Sequence, residues 1–339
     1  MSFQTPDQKI SQEMTELINA QKALAIDFQH AKSNQSQPIK GKTLLVTGGA
    51  SGFGETFVTT FAKNPGCAAI IADFNKEKGE ELETTLREAG LKVKFIQVDV
   101  TDWESVTSLM RQALLWLQTL GSDRTIDHLI CSAGVSGAEL DLSPVSPEDF
   151  FQHDQTPAKA PESRSIQISI VGTLYTVAAA QKFGMGLHLP ESELGDKSIT
   201  LLGSMAGYTG ISRQSDYTAS KWGVRGLFRS LLNDQTSATC PVRVNLIAPY
   251  FVATPLSAHI APKLQEMGVK LAEIDDVRDA GLRFIYDQSI HGRAVGIWEG
   301  GAADLGDDLG GDYSSQVVRR KFEDGAMIRS TAQVTKPRL

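Results

Sequence analysis

From Thr43 onward the chain alternates short apolar runs with longer amphipathic stretches. The short runs predict strands at residues 43–47, 68–72, 93–98, 126–131, 198–202, 242–247 and 292–298. The longer stretches predict helices at residues 53–63, 77–89, 104–120, 165–184 and 215–233. Because these strands lack hydrophobic alternation, both of their faces are expected to be buried. The pattern predicts an α/β fold: a single doubly wound parallel sheet of about seven strands, with helices on both faces.

The segments at either end of this pattern differ from it in composition. Residues 8–31 have helical apolar spacing before a Ser-Asn-Gln-Ser-Gln-Pro break, so residues 1–40 are expected to form a mainly helical N-terminal extension. Residues 41–298 make up the predicted domain, and the polar residues 299–339 predict a C-terminal extension. Within the domain, residues 137–164 hold four prolines and no periodicity, which predicts an irregular surface loop.

The net charge of the chain argues against some classes of binding partner. With 33 Lys and Arg against 40 Asp and Glu, the 339 residues carry a net charge of −7, which argues against a nucleic-acid or anionic-membrane partner. The six histidines show no ligand spacing, so no metal is expected. Cys67 and Cys131 lie in apolar runs and predict buried thiols, and with Cys240 they form no recognisable disulfide framework. No signal pattern and no run of ~18 apolar residues is present, so a cytoplasmic protein is expected.

A glycine-rich turn follows the first predicted strand and opens the first predicted helix. Residues 47–54 read Thr-Gly-Gly-Ala-Ser-Gly-Phe-Gly, and their glycines follow a GxxxGxG spacing. Glycines in this position let backbone approach a pyrophosphate, and a helix N-terminus supplies unpaired N–H donors. A tight turn without a ligand is the alternative. The candidate cofactor-binding residues here are Gly48, Ser51, Gly52, Phe53 and Gly54.

Acidic residues end the second and third predicted strands. Asp73 can accept hydrogen bonds from the ribose hydroxyls of an adenosine and would repel a 2′-phosphate, so NAD is favoured over NADP. Asp99 could contact the adenine amino group. We count Phe74 and Val100, the next residue in each case, as candidate cofactor contacts too. Each acid could instead cap the helix that follows it.

Tyr217 and Lys221 are four residues apart in a predicted helix, so both side chains leave the same face. A phenol titrates near ~10, and an ammonium one turn away favours the phenolate. The pair is therefore a candidate proton-transfer device for an alcohol or a ketone. Taken alone, the same residues could be an ordinary surface helix. Ser204, thirteen residues upstream, could be a turn residue or a third member of the site.

Taken together, these motifs resemble the short-chain dehydrogenase/reductase family. The glycine turn, the two strand-ending acids, Ser204 and the Tyr217–Lys221 pair occur in the order and spacing of that family, over roughly residues 42–298. The resemblance implies a Rossmann-like fold. The Pro-bearing loop and the Ser-Ile-His-Gly-Arg-Ala at 289–294 are similar to a fungal branch. That branch resembles NAD-dependent hydroxyprostaglandin-type dehydrogenases and often serves secondary metabolism.

The resemblance implies a role for each matching position. Ser204 would hydrogen-bond the substrate oxygen and Tyr217 would pass the proton. Lys221 would hold the nicotinamide ribose and lower the tyrosine pKa. Thr254 would contact the carboxamide, and Val252 would back the nicotinamide ring.

Three positions depart from the family pattern. The Asn-Ala-Gly that usually follows the fourth strand is here Ser132, Ala133 and Gly134, still counted as cofactor-binding residues. Ser169 aligns with the family's fourth catalytic member, an Asn, and its hydroxyl lacks the two donors of an amide. Pro249-Tyr250 replaces a usual Pro-Gly; Pro249 is counted with the cofactor site, and Tyr250 could shape the pocket or simply pack.

The motifs predict NAD-dependent oxidation of a secondary alcohol to a ketone, with Tyr217 as proton acceptor. The substrate walls are expected from residues 135–142, 208–214 and 251–271, with a lid region at 251–290. These walls are largely apolar, so a bulky, neutral, polycyclic natural product is expected. The alternatives are a ketone reductase using NADH or NADPH, and a non-catalytic dinucleotide-binding scaffold.

The helix around Gly226 is more apolar than one core face needs, with Trp222, Val224, Leu227 and Phe228 among its residues. In the family this helix and the preceding one form a subunit interface, which implies a homodimer or homotetramer. Ordinary burial against the sheet is the alternative.

Overall fold

The computed structural model describes residues 39–305, except for 122–123, 138, 140, 142, 153–159, 236–241, 256, 259 and 267. The N-terminal helix expected at 8–31, Cys240 and most of the C-terminal extension lie outside the described residues. Within the described residues, eight strands form one sheet: β1 (Thr43–Thr47), β2 (Ala68–Asp73), β3 (Val93–Gln97), β4 (His128–Cys131), β5 (Lys197–Leu202), β6 (Val242–Pro249), β7 (Ala294–Trp298) and β8 (Gly301–Asp304).

The strand order β3-β2-β1-β4-β5-β6-β7-β8 is that of a doubly wound sheet. Neighbouring strands from β3 through β7 are parallel, and β8 runs antiparallel to β7. The order reverses between β1 and β4, where Thr47 pairs with Cys131 at the carboxyl ends. Loops leaving a sheet at such a reversal diverge and leave a crevice for a ligand.

The helices lie between the strands along the chain. They are α1 (Gly52–Phe61), α2 (Lys76–Glu88), α3 (Trp103–Gln118), α4 (Pro147–Gln152), α6 (Glu191–Leu194), α7 (Ser215–Gln235), α8 (Ala261–Glu266) and α9 (Ile274–Tyr286), with α5 spanning residues 164–184. Helix α5 is not uniform: Gln167–Gly172 and Ala180–Gly184 are π-helical, and Arg164–Ile166 and Thr173–Ala179 are α-helical. Single π turns of this kind are frequent at functional sites.

Two apolar cores cover the two faces of the sheet. Along β1, Leu45 packs into one core while Leu44 and Val46 pack into the other, as the two-residue period of a strand requires. Helices α3, α5 and α7 cover the first face, and α1, α2 and α9 cover the second. The predicted burial of both strand faces is confirmed. Cys67 and Cys131 are buried as predicted, and burial raises the pKa of both thiols.

Two parts of the structure differ from the sequence prediction. An eighth strand, Gly301–Asp304, extends the sheet into the segment assigned to the C-terminal extension, and the buried ion pair of Arg293 with Asp304 holds it there. The short helix Pro147–Gln152 interrupts the loop predicted to be irregular. Neither segment is apolar enough or long enough for its secondary structure to be predicted from hydrophobic periodicity.

A buried polar network lies at the amino edge of the sheet, away from the crevice. The Lys197 ammonium, almost fully buried, lies 3.0 Å from Asp127, which also pairs with Lys42 at 3.2 Å. Nearby, Arg243 makes a 2.7 Å ion pair with Asp196. Each of these buried charges has an opposite charge beside it, as burial in a low-dielectric interior demands.

Three of the apolar residues on α7 belong to the core rather than to a surface. Val224, Phe228 and Leu231 are buried in the first core, whereas Trp222 remains 45% exposed. Burial against the sheet therefore accounts for most of the apolar residues that the sequence analysis noted on this helix. Among the described residues, no helix combines the length and hydropathy needed to cross a membrane.

Candidate active site

The glycine turn closes tightly between β1 and α1. Gly48 has a φ of +66°, and a Cβ there would lie 2.8 Å from the backbone of Ala133. A Cβ on Gly54 would collide with the Gly48 carbonyl, so Gly54 shapes the turn itself. Gly52, at φ +54°, has nothing within 4 Å of an added Cβ and faces open space. Ser51 makes no side-chain cap, which leaves the first amides of α1 available to an anion.

A cleft of about 640 Å³ opens beside this turn, within the range of ~300–1,000 Å³ usual for ligand sites. The predicted cofactor-binding residues that line it are Gly48, Ser51, Gly52, Phe53, Asp73, Phe74, Asp99, Val100, Ser132, Ala133, Gly134 and Thr254. The size and the donors of the cleft fit a dinucleotide. Arg164 and Gln167 also line it and were missed, because they follow the Pro-bearing loop and no motif marks them.

Asp73 ends β2 with its carboxylate directed at the glycine turn. Its Oδ2 accepts the Ala50 N–H at 3.0 Å, and its Oδ1 accepts the Asn75 N–H at 2.9 Å. The capping role belongs instead to Asn75, whose side chain accepts from the Lys78 N–H. Asp73 is therefore fixed by backbone donors at the edge of the cleft, with lone pairs left for a further donor.

Asp99 is likewise not a helix cap. Its Oδ1 accepts from the backbone N–H of Thr101 at 2.9 Å and from the Thr101 hydroxyl at 2.7 Å. Asp102 caps α3 by accepting from Glu104. Both strand-ending acids thus line the cleft rather than serving the helices after them.

Ser204, Tyr217 and Lys221 converge beyond the carboxyl ends of β5 and β6. The Ser204 hydroxyl donates to the Pro249 carbonyl at 3.3 Å, accepts from the Ala206 N–H at 3.1 Å and hydrogen-bonds the Tyr217 hydroxyl. The Lys221 ammonium donates to the Leu202 carbonyl at 3.1 Å. The three side chains that the sequence grouped are therefore one cluster, and all three line the same cavity.

Burial dominates the acid–base properties of this cluster. The pKa of Lys221 is lowered to about 8, because burial disfavours its charged form. Burial raises the pKa of Tyr217, and its hydrogen bond with Ser204 opposes that rise. The net direction for Tyr217 is opposite to the lowering predicted from Lys221. In the protein alone, desolvation of the phenol outweighs the help of its neighbours.

Ser169 lies in the first π-helical segment of α5, behind Gly134. A Cβ on Gly134 would lie 3.7 Å from the Ser169 hydroxyl and 3.8 Å from the Lys221 ammonium, so the two groups face the same small space. Ser169 is only 1% exposed, and its hydroxyl has no hydrogen-bond partner among the described residues. Ser169 lines neither cavity directly.

A second cavity of about 180 Å³ holds the Ser204–Tyr217–Lys221 cluster. It shares lining residues with the cofactor cleft, namely Phe53, Ser132, Gly134, Val135 and Thr254, so the two spaces adjoin. Pro249 and Val252, which the sequence analysis assigned to the cofactor site, line this smaller cavity and are not among the residues that line the cleft. The predicted substrate walls contribute Ser136, Thr209, Ile211, Gln214, Phe251 and Ile260.

Thr254 stands where the two cavities meet. Its backbone N–H and its hydroxyl are both within hydrogen-bonding distance of the Ser257 hydroxyl, at 3.1 and 3.3 Å. The Ser257 hydroxyl in turn donates to the Val252 carbonyl at 2.5 Å. This turn fixes Thr254 beside both spaces.

The comparisons with known proteins agree with this geometry. The family model described as short chain dehydrogenase matches residues 42–265. A 5'-hydroxyaverantin dehydrogenase from Dothistroma septosporum is 32% identical over 85% of this chain and 95% of its own length. The enzyme named 5'-hydroxyaverantin dehydrogenase stcG, from Emericella nidulans, is 31% identical over the same shares. The chain belongs to the short-chain dehydrogenase family, and these fungal relatives support the expected branch.

Other relatives bear on the cofactor and the fold. NADP-dependent dehydrogenase M3 from a Phoma species is 30% identical over 88% of each chain. Among solved structures, a 7α-hydroxysteroid dehydrogenase complexed with NADH covers 78% of this chain and 95% of its own, with a TM-score of 0.62 and 20% identity. Levodione reductase covers 77% and 98%, with a TM-score of 0.60 and 22% identity. The predicted Rossmann-like fold is confirmed, and the chain is a dehydrogenase or ketoreductase that uses a nicotinamide dinucleotide.

Proposed function

We propose that this protein oxidises a secondary alcohol to a ketone with NAD, acting on a bulky, mostly apolar, polycyclic natural product of secondary metabolism. The observation that carries the proposal is the convergence of Ser204, Tyr217 and Lys221 on one cavity that adjoins the cofactor cleft. A secondary alcohol bound in that cavity would have the hydroxyl groups of Ser204 and Tyr217 beside it, and the space for a dinucleotide would adjoin it.

The residues divide the work of the reaction between them. A bound nicotinamide dinucleotide supplies the hydride acceptor. Ser204 and Tyr217 hydrogen-bond the substrate hydroxyl. The Tyr217 phenolate, formed once the phenol has lost its proton to solvent beside the Lys221 ammonium, takes the substrate's proton while the carbinol hydride goes to the dinucleotide. Lys221 would hold the nicotinamide ribose, and Thr254 would contact the carboxamide. We assign Ser169 the role of the family's fourth catalytic residue. Its buried hydroxyl faces the same space as the Lys221 ammonium and has no hydrogen-bond partner among the described residues.

The preference for NAD rests on Asp73. Its carboxylate lines the cleft and is held by two backbone N–H groups, so it cannot turn away from an incoming phosphate. A 2′-phosphate there would meet the negative charge of this carboxylate. The alternative is that the same residues reduce a ketone with NADH or NADPH. The name of the Phoma relative, an NADP-dependent dehydrogenase, supports only the choice of NADP in that alternative.

The substrate class rests on the walls of the smaller cavity. Ile211, Phe251, Val252 and Ile260 are apolar, and no Asp, Glu or Arg lines this cavity within the described residues. Apolar walls with a few convergent polar groups select for bulky neutral ligands. The names of the Dothistroma and Emericella relatives, both hydroxyaverantin dehydrogenases, support a secondary-metabolite alcohol.

A carbinol-deuterated secondary alcohol tests the reaction directly. The purified protein is incubated with NAD and the labelled alcohol, and the reduced cofactor is examined by mass spectrometry. The proposal predicts one deuterium in the reduced cofactor and an equal amount of ketone. If neither NAD nor NADP acquires deuterium from any of a panel of polycyclic secondary alcohols, while both cofactors bind, the scaffold alternative takes its place.

We also propose a homodimer or homotetramer. Leu174 and Phe183 on α5 and Trp222 on α7 are exposed apolar side chains on two helices of one face. Burying such residues between copies would remove apolar area from water. Light scattering of the wild type and of Trp222→Lys tests this. A wild type that is monomeric at micromolar concentration contradicts it.

A further inference from the structure

Tyr250 is the residue that follows β6, and it lines the same cavity as Ser204, Tyr217 and Lys221. Its backbone N–H donates to the Ile297 carbonyl at 2.8 Å, which fixes the chain at this point. The preceding residue, Pro249, accepts the 3.3 Å hydrogen bond from Ser204. The backbone that carries the Tyr250 side chain is therefore tied directly to the serine that would hold the substrate oxygen.

The Tyr250 ring lies against Phe251 without being buried by it. The two ring centres are 4.4 Å apart, and their planes are inclined by 54°. Both residues line the smaller cavity, yet Tyr250 keeps 49% of its surface exposed. A tyrosine that served only to fill the interior would be buried against its neighbours.

The Tyr250 hydroxyl has no hydrogen bond to another residue in the described part of the chain. A phenol at the wall of an apolar cavity normally finds a polar partner once water is displaced. Tyr250 therefore adds an aromatic ring and one hydroxyl to the residues that line the cavity, and its exposed surface is available to a ligand.

We propose that Tyr250, supported by Phe251, is a specificity-determining residue that stacks on a fused aromatic ring of the substrate and hydrogen-bonds an oxygen carried by that ring system. The proposal rests on the proposed function and narrows its polycyclic substrate to a planar aromatic one. Offset or tilted stacking between aromatic rings adds to the affinity that apolar burial alone provides. A saturated polycycle of the same size gains the burial but loses the stacking.

Two alcohols with the same carbon skeleton separate these contributions. The secondary alcohol 1-tetralol carries a benzene ring fused to its carbinol ring, and trans-1-decalol is its fully saturated counterpart. The ratio of kcat/KM for the two is measured in the wild type, in Tyr250→Leu and in Tyr250→Phe. We expect the ratio to favour 1-tetralol in the wild type, to fall about fivefold in Tyr250→Leu, chiefly through KM, and to persist in Tyr250→Phe.

A binding measurement keeps the test decisive if turnover of these small alcohols is slow. Calorimetric titration of the NADH complex with 1-tetralone and with trans-1-decalone gives the same ratio without chemistry. NADH affinity and circular dichroism of each variant show that the fold is retained.

The outcomes separate the two proposals. A ratio that is the same in the wild type and in Tyr250→Leu, with turnover intact, overturns the role of Tyr250 and leaves the dehydrogenase standing. A wild type that neither turns over nor binds any of the four compounds also overturns the role of Tyr250, and the deuterium-transfer test with polycyclic alcohols then decides separately whether the dehydrogenase stands.

Discussion

The ammonium of Lys221 lies over the ring of Tyr217, 5.6 Å from its centre and one turn further along α7. This confirms that the two side chains leave the same helical face. The pKa of Tyr217 is nevertheless raised, because burial outweighs the opposing hydrogen bond with Ser204. Lys221 itself is buried, and burial disfavours its charged form, which lowers its pKa to about 8.

The first prediction concerns Lys221 and the pH dependence of cofactor binding. Because its pKa is lowered to about 8, the ammonium is present at pH 7 and is lost as the pH rises through that value. NADH affinity should therefore be flat below about pH 7 and should weaken by about tenfold at high pH, since a neutral amine binds ribose hydroxyls less well than an ammonium. Isothermal titration at stepped pH measures this. The variant Lys221→Met should bind weakly with no such step; an unchanged wild-type affinity through pH 9, on the order of one unit beyond the transition, would refute the assignment.

The second prediction concerns Asp73 and cofactor choice. Asp73→Asn keeps an acceptor for one backbone N–H and removes the charge. NADPH affinity should rise about tenfold relative to NADH, because repulsion of the 2′-phosphate is relieved. Asp99→Asn is the matched control, since it removes a charge from the same cleft at a different point. Equal shifts in both variants would point to the total charge of the cleft and not to Asp73.

The third prediction concerns Ser169, whose buried hydroxyl lacks a partner among the described residues. Ser169→Ala should leave the thermal midpoint unchanged or raise it, because an unsatisfied hydroxyl costs about 1–3 kcal/mol in the interior. The same variant should lower kcat by about tenfold if the hydroxyl serves the proton transfer.

Ser165→Ala provides the control for Ser169. The Ser165 hydroxyl lies on the same helix and bonds the Ser220 hydroxyl at 3.0 Å, so its loss should destabilise the protein by about 1 kcal/mol. Loss of stability in both variants, with kcat intact, would show that Ser169 is only a packing residue.

The fourth prediction concerns His128, in the polar network at the amino edge of the sheet. Burial lowers its pKa to about 4, and its Nδ1 is 2.9 Å from the Ser198 hydroxyl. The unfolded chain binds a proton to this histidine near pH 6.5 and the folded chain does not. Its contribution to stability is therefore present above about pH 6.5 and is lost as the pH falls towards 4.

The loss from His128 between pH 7 and pH 5 should be about 2 kcal/mol of unfolding free energy. Urea denaturation at the two pH values measures it, and His128→Gln should remove most of the difference. A pH dependence that is the same in the variant and in the wild type would assign the effect to other groups.

Much of the fold could be predicted because it depends on local patterns. The runs around Leu44, Ile70 and Ile199 are apolar on both faces, and only a parallel sheet covered on both sides accommodates them. The strand Gly301–Asp304 was not predicted because it has no β-branched residue. The ion pair that holds it joins Arg293 and Asp304, which are 11 residues apart in the sequence.

The site was predictable where chemistry depends on residue type and spacing, as for Ser204, Tyr217 and Lys221. The direction of the Tyr217 pKa was not, because burial is a property of the folded environment and not of a neighbour four residues away. Arg164 was missed for a related reason: only the folded chain brings it beside the cleft.

Turnover by Tyr217→Phe tests the central claim most directly. The phenyl ring preserves the packing of the site but cannot accept a proton, so kcat/KM for alcohol oxidation should fall by about 100-fold to 10,000-fold while NADH affinity stays close to that of the wild type. The same preparation of protein supplies both numbers. Alcohol oxidation at the wild-type rate in Tyr217→Phe would contradict the account.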